Sequence, residues 1–121
     1  MKETLKKLIE FQNQIRILHW QTKSFARHKA YDEIYGELNS LLDSFVEVYQ
    51  GKYDIIEFDA DVQITLKNSK EFDLNGSISE FLAVLITEIP EQLEDNDTDL
   101  LNIRDEILGL VHKLKYLLSL K

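Results

Sequence analysis

The stretch His28–Gln50, HKAYDEIYGELNSLLDSFVEVYQ, decides how the chain is read. Tyr31, Ile34, Leu38, Leu41, Phe45 and Val48 recur at spacings of 3, 4, 3, 4 and 3, the period of one buried helical face. Gly51 follows where a helix C-cap is expected. Working outward, Leu8, Phe11, Ile15 and Leu18 place a first helix over about 4–24. Ser77-Ile78-Ser79-Glu80 reads as a capping box opening a third helix, and Pro90 should kink or end it. Glu94-Asp95-Asn96-Asp97 offers N-caps for a fourth, whose face is Leu100, Ile103, Ile107, Leu110, Leu114 and Leu117. Between Gly51 and Gly76 only the alternation Val62, Ile64, Leu66 stands out, and it allows a short strand.

A break this long in a small domain needs a reason. If helices two and three run parallel, the connection must travel the length of the bundle. The expectation is therefore an all-α fold, a ferritin-like four-helix bundle with one long crossover between helices two and three, in a single domain over 1–121.

At 121 residues with 44% hydrophobic side chains the chain suffices for one core, and with no cysteine it has neither disulfides nor thiolate chemistry. No apolar run approaches a membrane span, and no signal-peptide pattern opens the chain, so a cytoplasmic location is the default. A net charge of −8 repels phosphate backbones and attracts cations, which disfavours nucleic acid as a partner. There is no phosphate-binding glycine loop and no H-E-x-x-H. His112 reads as a surface group, Lys113 and Lys115 as partners of a helix C-terminal dipole, and Asp59 and Asp61 as solvated loop carboxylates.

The polar face of the second helix carries more. On a helical wheel His28, Asp32, Asp43 and Glu47 fall within about 100° of one another. His28 and Asp32 are four apart, as are Asp43 and Glu47, so each pair aims at one point. The pairs lie about 22 Å apart along the axis, too far for one helix to bring both to one ion. They nevertheless share a midpoint near residue 37.5. Two copies packed antiparallel about a two-fold axis near Gly36–Asn39 would join His28 and Asp32 of one chain to Asp43 and Glu47 of the other, forming two identical sites. Gly36, Asn39 and Ser40 are small enough to permit approach. One imidazole and three carboxylates suit Fe(II), with Mn(II) or Zn as alternatives, and His19 could add a second imidazole. The competing reading is a solvated acidic helix face.

Leu18-His19-Trp20-Gln21, His28-Lys29-Ala30-Tyr31-Asp32 and Leu42-Asp43-Ser44-Phe45-Val46-Glu47 resemble the mini-ferritins of the Dps type. The likeness lies in the His-Trp pair ending the first helix, the His and Asp four apart, the second Asp eleven residues on and the Glu four beyond it, and it covers about residues 5–51. It implies a ferroxidase site with His19, His28 and Asp32 from one chain and Asp43 and Glu47 from its partner. It also implies a homo-oligomer, up to a hollow dodecameric shell, that oxidises Fe(II) with peroxide or oxygen and stores ferric mineral. Trp20 would lie beside the site, chiefly as a buried aromatic. The turn between His19 and His28 is about three residues shorter than usual in that family, and no Lys-rich tail is present, so DNA binding is not carried over. A short, divergent member would suit a phage or other mobile genome. The alternative function is a non-enzymatic ferritin-like assembly or interaction module, its metal site decayed or structural.

Overall fold

The computed structural model describes residues 1–120, and among them every regular element is helical. Helix α1 spans Lys2–Gln21 and α2 spans Phe25–Lys52. A 3₁₀ turn, Ser69–Glu71, precedes α3, Leu74–Ala83, which continues through a π-helical turn, Val84–Glu88, into the α turn Ile89–Glu91. The last helix, α4, spans Thr98–Ser119. No strand forms over Val62–Leu66.

Helix α2 begins three residues before the expected His28, because the Ser24 hydroxyl accepts the Arg27 N–H at 3.2 Å and caps it there. Its buried face is Ala30, Tyr31, Ile34, Leu38, Leu42 and Phe45. Leu42 takes the place expected for Leu41, which is half-buried, as is Val48. A 3.6-residue period drifts against a strict heptad, so over this length the core-facing positions slip.

The capping box expected at Ser77 does not form. Asp73 caps α3 by accepting the Gly76 N–H at 3.0 Å, which leaves Ser77 inside the first turn. A Cβ on Gly76 would meet the Asp73 carboxylate in its present rotamer, so a larger residue there would have to push that side chain aside.

Pro90 acts as expected, and the consequences reach further. The Ile89 N–H bonds the Val84 carbonyl, five residues back. In that register the Leu85 carbonyl would look to Pro90, which has no N–H. Arg104 of α4 donates to it instead, at 2.9 Å.

Three contacts close the circuit. The chain beyond α2 lies along α1 from its start to its end, through Lys2–Asp59, Glu10–Thr65, Gln14–Lys67 and Gln21–Ser69. Helix α3 then returns towards the start of α1, with the Phe11 and Phe81 rings stacked at 3.9 Å between centroids and Thr4 and Lys7 donating to Glu88. Helix α4 starts beside Lys52 and ends past Glu33, which Lys113 meets at 2.8 Å. The core formed between them includes Leu8, Ile15, Ile34, Leu38, Phe45, Leu85, Ile107 and Leu114.

Candidate metal centre

The short turn Thr22–Ser24 folds the end of α1 onto the start of α2. It places His19 beside His28 and beside Asp32, two of the other four expected ligands. The His19 and His28 rings lie 4.0 Å apart between centroids, tilted by 45°. His28 Nδ1 is 3.0 Å from the His19 carbonyl oxygen. With Nδ1 donating there, Nε2 carries the free lone pair, the arrangement that orients a metal-binding imidazole. His19 Nδ1 lies 3.9 Å from Asp32 Oδ1. The shortened turn thus does not separate the histidines. Asp32 is open to solvent, with 75% of its side chain exposed.

Asp43 and Glu47 are elsewhere. Both are exposed on α2 and neither makes a hydrogen bond or ion pair among the described residues. Asp43 stands eleven residues beyond Asp32, about 16 Å along the helix. Accordingly, no group of three or more His, Cys, Asp or Glu side chains among the described residues is arranged to hold a metal within one chain. The stretch between the two pairs is open, since nothing lies within 4 Å of where a Gly36 Cβ would be. Asn39 leans into the seam with α1, accepting from Gln12 at 2.7 Å, which leaves Gly36 and Ser40 as the small residues of the open face.

Trp20 corrects its expected role: it is 63% exposed rather than buried. Phe25, the first residue of α2, is 74% exposed. Arg16, which the sequence did not single out, lies 5.0 Å from the Trp20 ring and 5.4 Å from the Tyr35 ring, and donates to the Tyr35 hydroxyl at 3.3 Å. Cation–π contact holds this guanidinium to both aromatic rings and so links α1 to α2. An Arg, a Trp and a Tyr at positions 16, 20 and 35 carry no periodic signal, because their meeting depends on how two helices pack.

A second cluster was also missed. Asp97 is buried, accepts from the Tyr53 phenol and from the Glu94 N–H at 2.9 Å, and pairs with Lys52 at 2.6 Å. Lys52 also meets Asp99 at 2.7 Å. The Lys52 and Tyr53 hydrogen bonds hold the Asp97 carboxyl down at about 2, and the same contact pushes the Tyr53 phenol up to about 12. Lys52 is held well above its ordinary value by Asp97 and Asp99. Both oxygens of the buried Asp97 carboxylate are taken up by partners inside the chain, so the cluster fastens α2 to α4.

Residues 19–118 match one family, and that match includes all five expected ligands. The chain belongs to a family of unknown function, DUF5856. Within reach of this DUF5856 chain is an uncharacterized 14.6 kDa protein in the mobD-ri intergenic region of Enterobacteria phage T4, 37% identical over 109 residues that cover 85% of this chain and 75% of the relative. A phage relative agrees with the source expected from the chain's brevity. No solved structure matches. No helix among the described residues is long and apolar enough to cross a membrane.

Proposed function

We propose that the chain is a Dps-like iron protein, in which Fe(II) is the substrate and is oxidised at sites shared by two antiparallel copies of α2. One observation carries the reading. His19 lies beside His28 and Asp32 at one end of the outer face of α2, while Asp43 and Glu47, exposed at the other end, make no hydrogen bond or ion pair among the described residues, and the two α2 pairs share a midpoint. A two-fold axis there turns two half-shells into two complete ones, each with two imidazoles and three carboxylates. That donor set is hard, anionic and suited to Fe(II). Mn or Zn would also be accepted.

The fold supports the same reading. The 53–73 segment lies along α1, so α2 and α3 point the same way, as in a ferritin-like bundle with one long crossover. Exposed Trp20, near the end of α1, and Phe25, at the start of α2, supply apolar surface for a partner. In the reaction each Fe(II) gives up one electron, and peroxide takes up two electrons and two protons to leave as water. The carboxylates stabilise the ferric charge more than the ferrous, which favours oxidation. Ferric product then leaves as mineral, into a shell if the dimers assemble further.

Stopped-flow absorbance after mixing the protein with Fe(II) and peroxide tests this. The expected result is ferric absorbance rising faster than in buffer, together with a dimer or larger species in sedimentation. A rate equal to buffer would defeat the proposal. The second reading, a helical assembly module without iron chemistry, draws on the absence of a complete metal-holding group within one chain. It requires an assembly that forms equally well with chelator present and no metal uptake in calorimetry.

A further inference from the structure

The segment that lies along α1 is held by side chains in a regular way. Glu10 accepts the Thr65 N–H at 3.1 Å. Gln14 makes a two-point contact with Lys67, accepting its N–H and donating to its carbonyl, both at 2.8 Å. Gln21 accepts the Ser69 N–H at 2.7 Å. Residues 65, 67 and 69 therefore turn one backbone edge towards α1. In extended chain the residues between them turn their N–H and C=O groups the opposite way. Val62, Ile64 and Leu66 have no backbone hydrogen bond among the described residues, and Val62 and Leu66 are exposed at 42% and 41%. The alternate spacing of these bonds is that of an extended run, with one backbone edge satisfied by α1 and the other, beside the exposed Val62 and Leu66, without a hydrogen-bond partner among the described residues. Such an edge is a template for another strand.

The sequence of the segment specifies which strand. Laid antiparallel against itself about Ile64, Val62 faces Leu66, Gln63 faces Thr65 and Asp61 faces Lys67. The apolar residues meet one another, and the two ends pair opposite charges. Asp61 and Lys67 have no ion-pair partner among the described residues. The free-edge residues 62, 64 and 66 become the hydrogen-bonded positions, while Asp61 and Lys67 fall at non-hydrogen-bonded positions, where opposed side chains are closest. We propose that residues 61–67 form an antiparallel two-stranded ribbon with the same segment of a second copy, in the register that sets Ile64 against Ile64. The contact is separate from the proposed α2 interface. Glu10, Gln14 and Gln21 lie on the side of α1 opposite Gln12 and Arg16, which meet α2. A chain with two different isologous contacts builds assemblies larger than a dimer.

The chain has no cysteine, which makes the test direct. I64C under mild oxidation should give a disulfide-linked dimer far faster than H112C, whose position is exposed on α4. Adding D61K sets lysine against lysine and should suppress the link several-fold. Adding K67D to that variant restores opposite charges and should restore the link. Circular dichroism checks that each variant keeps its helices, which is expected because neither side chain makes a hydrogen bond or ion pair among the described residues. The proposal is overturned if I64C links no faster than H112C, which would leave the edge to a strand of another protein. It is equally overturned if linking ignores the charge swaps, which would mean a different register. Neither outcome depends on iron, so the ribbon and the ferroxidase reading fail separately.

Discussion

The ion pairs that fasten α2 to α4 and the carboxylates on the outer face of α2 are built from the same residue types, yet they differ in every respect that matters physically. Asp97 is buried, and its oxygens are taken up by Lys52, Tyr53 and the Glu94 N–H. Asp43 and Glu47 are exposed and make no ion pair among the described residues. A buried carboxylate must find its partners internally, because losing water without replacement is costly. An exposed one is free to serve a ligand or a second molecule. The contrast separates the carboxylates that hold the fold from those available for function, although a sequence pattern alone ranks them equally.

The largest effect that would sharpen this contrast is on iron. Asp43→Ala or Glu47→Ala should reduce Fe(II) oxidation to the buffer rate while leaving the thermal midpoint unchanged, measured by ferric absorbance and by circular dichroism on the same samples. A large fall in the midpoint would break the contrast by showing that these residues support the fold.

Asp97→Ala should do the reverse. It leaves the Lys52 ammonium and the Tyr53 phenol without their shared partner. The thermal midpoint should drop by about 5 °C or more, with oxidation per folded molecule retained.

Next in size is the response to pH. Asp97 sits at about 2 when folded, against about 3.9 in an unfolded chain. Below the latter value the unfolded state binds more protons, so stability falls with pH. The contribution is fully present above about pH 4 and is lost as pH drops through about 2. Glu88 and Asp99 are shifted the same way by Lys7 and Lys52 and add to this slope. Asp97→Asn should flatten the acid limb of a denaturant-midpoint titration, and an unchanged limb would show that the cluster is not its source.

The smallest effect concerns the turn that assembles the histidines. Ser24→Ala removes the α2 cap and should cost about 1 kcal/mol in urea unfolding. His28 lies one turn further along, so iron affinity should weaken slightly while Asp97-dependent acid stability stays as it was.

Much of the fold was legible because burial imposes a period. Leu8, Phe11, Ile15 and Leu18 in α1 and Leu100, Ile107, Leu110 and Leu114 in α4 all reach the core, and four helices were counted where four rods occur. Helix starts were less legible. Asp73, rather than Ser77, caps α3, since both residue types are competent caps and the spacing to the apolar face does not distinguish them. The alternation Val62, Ile64, Leu66 was read as compatible with a strand, but no strand forms among the described residues, and the neighbouring Thr65 and Lys67 bond to side chains of α1 instead.

Spacing along α2 was enough to place His28, Asp32, Asp43 and Glu47 on one face, because a helix converts sequence separation into angle by a fixed rule. Composition was enough to set the charge and to exclude thiol chemistry. What needed the third dimension was every contact between elements: His19 beside His28, Arg16 against Trp20 and Tyr35, Asp97 under Lys52 and Tyr53, Arg104 on the carbonyl that Pro90 leaves without a donor. These pairs are set by where two helices cross and how a long connection returns, and no periodicity within a single helix encodes that.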